Sequence, residues 1–568
     1  MGAKTRRNTS GHPSESERTP TGGVPFVIGV TGHRDLRSAD IPALKQLIRQ
    51  QMTGWMDMCP HTEFFCMTSL AEGADQLCGR VASDLGMKLL VPLPMEQAEY
   101  EKDFSDAALG EFRALLDKAV SVFVAPDTEL LHDRSREYGY RMAGIYLTRH
   151  CHVLLALWDG QAGESGGCGT AETVDFKLKK AYRAPDTLLT APDEGIVLQI
   201  VTPRVTGDAL PDNALTVRLI ENAGGALCEL LRNTEAFHRD AADIDPSTSC
   251  GVFDAETTRR LGPAAEPLQN TYRLADALAL RYRDRYLAML KWLCGAGALL
   301  VVAFLFYDEF EANLFLIAYG LIALTAFFMF LGTTRGRCHR KYIEYRLFAE
   351  TLRVQLNLMA SGLDVSAEDL MPWSQRTISP WIREAMNTLP RIEQAMPEAP
   401  VDVRAVWIRE QLNYQKRTHA KNQARLKRQS AISGSLLAFT ILFFVAVLVL
   451  EFLFPAWIGR EIALPVWLCR LALTHSDHFF NARSIFKILL GIIPALTFVV
   501  SSYYGKLSLE RKLRDGQRMI ALYSEALEAY DNPLTDKARL MTELAREELV
   551  ETGDWLSYVS ENRPDLLI

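Results

Sequence analysis

Three short loops gather residue types suited to holding a phosphate-bearing ligand. GVTGHRDL (29–36) supplies Gly29, Thr31 and Gly32, then His33 and Arg34. Glycine lets backbone approach a ligand closely, free N–H groups at a helix start attract an anion, and His33 and Arg34 stand where a phosphate would be met. The same string also fits a tight strand-to-helix turn with a surface arginine. SLAEGADQL (69–77) offers Ser69, Glu72, Gly73 and Asp75. Its carboxylates can accept from ribose hydroxyls, or Asp75 can simply cap a helix. ALWDGQAGESGGCGTAETV (156–174) carries Trp158, Asp159, Gly166, Gly167, Gly169, Thr170 and Glu172. Successive glycines there form a backbone anion nest. Trp158 lines a base pocket or ends a strand as core packing, and Asp159 accepts from a ribose or steadies its loop.

Such loops need a scaffold that brings them together. Short apolar runs at 25–30, 63–69, 87–93, 121–125, 152–158 and 196–202 read as strands, with helical stretches such as 40–55 and 74–85 between them. That alternation predicts a Rossmann-like parallel sheet with helices on both faces, in an α/β domain over 24–206. The three loops follow three of these strands, and open sheets bind ligands beyond the carboxyl ends of their strands. A phosphate-bearing nucleotide is the ligand this arrangement suits, with no metal and no catalytic group required.

After the sheet the pattern turns all-α. Residues 217–242 and 265–291 read as helices, within and after a helical connector at 207–264. Four apolar runs follow, at 292–310, 313–332, 431–454 and 485–504. Each is about the length that a bilayer helix needs. Glu451 and Lys487 lie near run ends, where long side chains snorkel. Lys and Arg crowd the approach to the first run, the exit from the second, the approach to the third and the exit from the fourth. DEFEAN, between the first two runs, has neither. The positive-inside rule then puts both termini and the sheet domain in the cytosol and makes the chain a multi-pass membrane protein with long cytosolic helices. Pro494 predicts a kink, and Thr497, Ser501 and Ser502 either face a lumen or satisfy their own backbone.

The composition agrees with this division. The 568 residues carry a formal net charge of -7, which argues against a nucleic-acid polymer as partner. Ten cysteines without a CxxC pair read as reduced thiols rather than a metal or disulfide framework. Residues 1–23 are polar and Gly/Ser-rich, predicting disorder and no secretory signal. A basic helix, a hairpin and a long helix occur twice, at 265–363 and 416–568, joined by a cytosolic linker at 364–415.

GVTGHRDL, SLAEGAD and the GGCGT loop resemble the SLOG superfamily, which includes the LOG phosphoribohydrolases, DNA-processing proteins and the ligand-sensing domains of melastatin-type channels. The likeness covers about 25–204. Against the LOG motif PGGxGTxxE, Ser165 replaces the proline, Gly166, Gly167, Gly169 and Thr170 match, and the final glutamate falls on Thr173, beside Glu172. A Thr hydroxyl is a poor acid–base group, so the departure implies binding rather than turnover. LADALALRYRDRY (274–286), YRLFAETLR (345–353) and YSEALEAY (523–530) resemble the SLATT family of bacterial conflict effectors. The two resemblances together imply a homo-oligomeric antiviral effector. In it a nucleotide second messenger, derived from ADP-ribose or NAD or a cyclic oligonucleotide, controls a pore or disrupts the bilayer. A membrane-tethered phosphoribohydrolase-like enzyme and a scaffold without ligand are the alternatives.

Overall fold

The computed structural model describes residues 22–126, 135–161, 169–179, 195–205, 213–221, 224–310, 313–335, 338–373, 375, 379–389, 401–459, 461–462 and 480–561. The readings placed on 1–21, on Gly166 and Gly167, and on most of the loop between the third and fourth runs lie outside these residues.

The chain forms two compact units: 1–275 with 348–401, and 276–347 with 402–568. Among the described residues of the first unit, seven strands make one sheet. They are β1 (Phe26–Gly32), β2 (Phe64–Met67), β3 (Lys88–Leu93), β4 (Ser121–Val124), β5 (Val153–Trp158), β6 (Val197–Val201) and β7 (Val217–Ile220), in the order β4-β3-β2-β1-β5-β6-β7. β1 to β6 run parallel and β7 runs antiparallel against β6. FVIGV, VLLAL and VLQIV are buried on both faces, which is why these strands read as unbroken apolar runs. The edge strands SVFV and VRLI are only half covered.

Residues 217–242 are not a single helix. Val217–Ile220 is β7, and the helix is Ala226–Ala241. VRLI pairs with the otherwise open edge of β6, and satisfying that row of backbone groups outweighs the weak helical pattern.

Helices that matter to the sheet are α1 (Ile41–Met58), α2 (Ala74–Asp84), α3 (Asp106–Leu116), α4 (Arg136–Arg149) and α5 (Thr170–Lys179). α6 (Ala226–Ala241) follows β7. The division between units falls inside α7 (Ala265–Phe310) and, after α8 (Asn313–Arg335), inside α9 (Cys338–Ala360). The short α10 (Pro380–Thr388) belongs to the sheet unit, where Nδ1 of His150 sits 2.5 Å from the Asn387 carbonyl oxygen.

The second unit contains the rest of α7 and α9 with α8, α11 (Glu410–Leu453), α12 (Ala482–Leu507), α13 (Leu509–Asp531) and α14 (Lys537–Glu561). Among the described residues four helical stretches are long and apolar enough to cross a membrane: Ala265–Phe310, Asn313–Gly332, Arg404–Leu453 and Ala482–Asp531. Their apolar side chains face outward: Phe328, Leu442, Phe452 and Phe498 are 61%, 68%, 78% and 65% exposed. Lys487 pairs with Asp308 at 3.0 Å and Glu309 at 2.9 Å, and Arg483 pairs with Glu451, so both charges near the run ends have partners. Thr497 Oγ1 donates to the Ile493 carbonyl at 2.9 Å, the backbone-satisfying role rather than a free one.

Candidate functional site

The sheet order reverses between β1 and β5, because β2, β3 and β4 are added on one side of β1 while β5, β6 and β7 lie on the other. Helices leaving the two strands diverge at such a point and open a crevice at their carboxyl ends. A cavity of about 1120 Å³ lies there. Of the residues singled out from sequence, Thr31, Gly32, His33, Arg34, Ser69, Asp75, Trp158, Asp159, Gly169, Thr170 and Glu172 line it.

His33 leaves β1 with its N–H donated to the Leu157 carbonyl at 3.1 Å. Its Nε2 accepts the backbone N–H of Asp159 at 3.1 Å and lies 3.4 Å from Asp159 Oδ1. Burial pushes the imidazole below its ordinary pKa, opposed by the Asp159 carboxylate. The ring is therefore neutral at pH 7, with its proton on Nδ1. Asp159 Oδ1 accepts the Gln161 N–H at 3.0 Å, and Trp158 Nε1 donates to the Gln161 carbonyl at 2.9 Å. Both side chains thus brace the loop they begin.

Arg34 donates to the Tyr140 hydroxyl at 3.1 Å, with its guanidinium carbon 5.3 Å from that ring's centroid. Tyr140 donates to Asp103, which pairs with Arg136 at 2.5 Å. This chain of contacts holds the Arg34 cation on the wall of the crevice.

Asp75 stands in the first turn of α2 and is 7% exposed. Burial raises its pKa to about 7, against the opposing effects of a hydrogen bond from Thr68 and the Arg34 charge. Gly73 makes the preceding turn at φ +91°. A Cβ there would strike the Arg34 carbonyl oxygen and lie 2.7 Å from that of His33. Leu70, fully buried at φ 55°, adds a strained residue to the same loop, at a cost of about 1 kcal/mol. Ser69 Oγ donates to the Pro92 carbonyl at 2.8 Å.

At the start of α5, Thr173 donates its N–H to the Gly169 carbonyl at 3.1 Å and its hydroxyl to the same oxygen at 3.3 Å. The N–H groups of Thr170, Ala171 and Glu172 have no acceptor within the helix, and all three residues line the crevice. Glu172 lies 3.9 Å from Arg141.

Among the described residues, three of those expected at the site, Gly29, Glu72 and Gly73, do not line the cavity. Gly29 sits inside the sheet, where a Cβ would come 2.8 Å from Cys151 Sγ. Glu72 accepts from Ser105 Oγ at 2.8 Å and so anchors the cap of α3. Gly73 shapes the turn alone.

The structure adds residues that the sequence reading passed over. Tyr100 lines the cavity, is fully buried, and its hydroxyl has no hydrogen-bond partner among the described residues. Arg204 reaches the cavity from the end of β6 and pairs with Asp35 at 3.1 Å. Each follows a parallel strand, which is the signal that was available. Tyr140 comes from mid-helix and carried none. Among the described residues no group of three His, Cys, Asp or Glu side chains is placed to hold a metal ion. No family model matches the chain, and no curated protein matches it in sequence.

Proposed function

We propose that the chain is a ligand-responsive membrane protein whose sheet unit binds a phosphate-bearing nucleotide. The observation that carries this reading is the convergence of three separate loops on one cavity at the strand-order reversal. A neutral imidazole, a braced guanidinium and the open first turn of α5 supply donors to phosphate. The Tyr100 hydroxyl and the Asp75 carboxyl supply partners for a sugar or base. The cavity volume suits a nucleotide-sized ligand.

In this reading the four apolar helices cross the inner membrane, with both termini in the cytosol. Ligand binding changes the packing of several protomers and opens or assembles a pore, as the SLOG and SLATT resemblances imply for antiviral effectors. Only a difference in ligand affinity between two states can drive such a change.

The test uses the full chain in detergent, because the sheet unit takes in 348–401 as well as the N-terminal residues. Thermal shifts with ADP-ribose, NAD and cyclic di- and trinucleotides identify a ligand, and Arg34→Ala with Glu172→Ala should abolish the shift. Liposome leakage on addition of that ligand tests the effector half. No shift with any compound leaves the scaffold reading in place.

Asp75 favours a second reading. A buried carboxyl in the cavity with a pKa near neutrality is what a general acid for N-glycosidic cleavage needs. Product analysis of each hit separates a tethered hydrolase from a sensor.

A further inference from the structure

The second unit holds a different cavity, of about 900 Å³, at one end of three apolar runs. Arg283 lies just before the first run, Arg425 and Arg428 just before the third, and Lys512 shortly after the fourth. Lys421 and Arg511 complete six cations on its wall, against Asp284 and Asp515. Those two carboxylates are already engaged, Asp284 with Arg283 at 2.8 Å and Asp515 with Arg511 at 3.6 Å. Among the described residues no ion pair involves Lys421, Arg425, Arg428 or Lys512. Desolvation first, and repulsion by Arg425 and Arg283 second, lower the Lys512 pKa. Tyr286, Tyr342 and Trp555 wall the same space. Four cations without carboxylate partners around a concave aromatic-walled space repel one another, and a multiply charged anion would relieve that repulsion.

We propose that this cavity binds phosphate-bearing anions, as a second site separate from the sheet-edge crevice. Two sources share that chemistry, an anionic phospholipid headgroup and a free phosphate compound. Only the lipid arm rests on the membrane reading above.

The experiment follows thermal unfolding of the full chain in an uncharged detergent. Inorganic pyrophosphate is one probe; phosphatidylglycerol, against phosphatidylcholine as control, is the other. Wild type should be stabilised by phosphatidylglycerol, by pyrophosphate, or by both, and the pattern names the source. The Arg425→Gln/Lys512→Gln double variant should need at least tenfold more probe. Lys512→Arg should respond as wild type does, and the contrast between the double variant and its parent should persist when both also carry Arg34→Ala, which weakens any pyrophosphate response of the sheet-edge crevice. Without probe, the double variant should melt no lower than wild type, because it loses repulsion rather than a contact. The proposal is overturned if neither anionic probe stabilises wild type, if the double variant responds equally, or if it melts lower without probe.

Discussion

The backbone N–H of Asp159 donates to Nε2 of His33 over 3.1 Å, tying the end of β5 to the end of β1 where the strand order reverses. This bond exists only while the ring is neutral at Nε2. Burial, the larger effect, holds the pKa below 6.5 despite the nearby carboxylate. A nitrogen-15 NMR titration should therefore find the Nδ1–H tautomer at pH 7 and a midpoint below 6.5. A midpoint above that value, or the Nε2–H tautomer, would sink the assignment.

Asp75 gives the sheet unit a pH dependence of one sign. Its folded pKa of about 7 lies above the unfolded value of 3.8, so the folded state holds the extra proton between them. The stability it contributes is full below about pH 4 and is lost as pH rises through 7. Asp75→Asn should raise the melting temperature at pH 8 and leave it nearly unchanged at pH 4. Affinity for an anionic ligand should also fall from pH 6 to 8 in wild type and stay level in the variant.

His152 works in the opposite direction. Its Nδ1 accepts the Val27 N–H at 3.0 Å, and full burial drives its pKa to about 3. Between pH 6.5 and 3 the unfolded chain binds a proton that the folded chain refuses, so stability falls as pH falls. His152→Asn, which keeps an acceptor without a titrating ring, should flatten the acid limb of a melting-temperature profile. An unchanged slope would mean that other groups govern acid unfolding.

Two glycines of the candidate site should respond differently to alanine. Gly73 combines φ +91° with backbone oxygens where a Cβ would go, whereas at Gly169 a Cβ would meet nothing within 4 Å among the described residues. Gly73→Ala should cost about 2 kcal/mol or more, and Gly169→Ala should fold as wild type does. Chemical denaturation of both variants checks the contrast.

In the second unit the Glu548 carboxylate, 1% exposed, accepts from Trp407 Nε1 at 2.7 Å and from the Tyr523 hydroxyl at 2.6 Å on the same oxygen. Tyr523→Phe removes one donor from a buried charge and should cost about 2 kcal/mol. Trp407→Phe with Tyr523→Phe should cost more than the sum of the two, since both changes strip donors from the same carboxylate oxygen. Additive losses would show that the two bonds act independently.

Much of the architecture was legible in the residues themselves. A parallel strand buried on both faces must be an unbroken apolar run, and a bilayer-length helix must be about twenty apolar residues, so β1, β5, β6 and the four long apolar helices announce themselves locally. The loops after β1, β2 and β5 could likewise be picked out, because glycine and helix-start residues carry their meaning over a few positions. Tertiary structure decided what depends on distant partners. β7 exists because β6 had an open edge to fill, and Glu72 left the cavity wall because Ser105, 33 residues later, claimed its carboxylate. Tyr100 and Asp75 owe their burial, and Asp75 its pKa near 7, to elements packed around them. The cation-rich cavity of the second unit draws on α7, α11, α12 and α13, whose separate basic stretches read along the chain only as topology signals. Local propensity is written in a few neighbouring residues. Desolvation and charge proximity are sums over the whole fold, and those sums set what each site can bind.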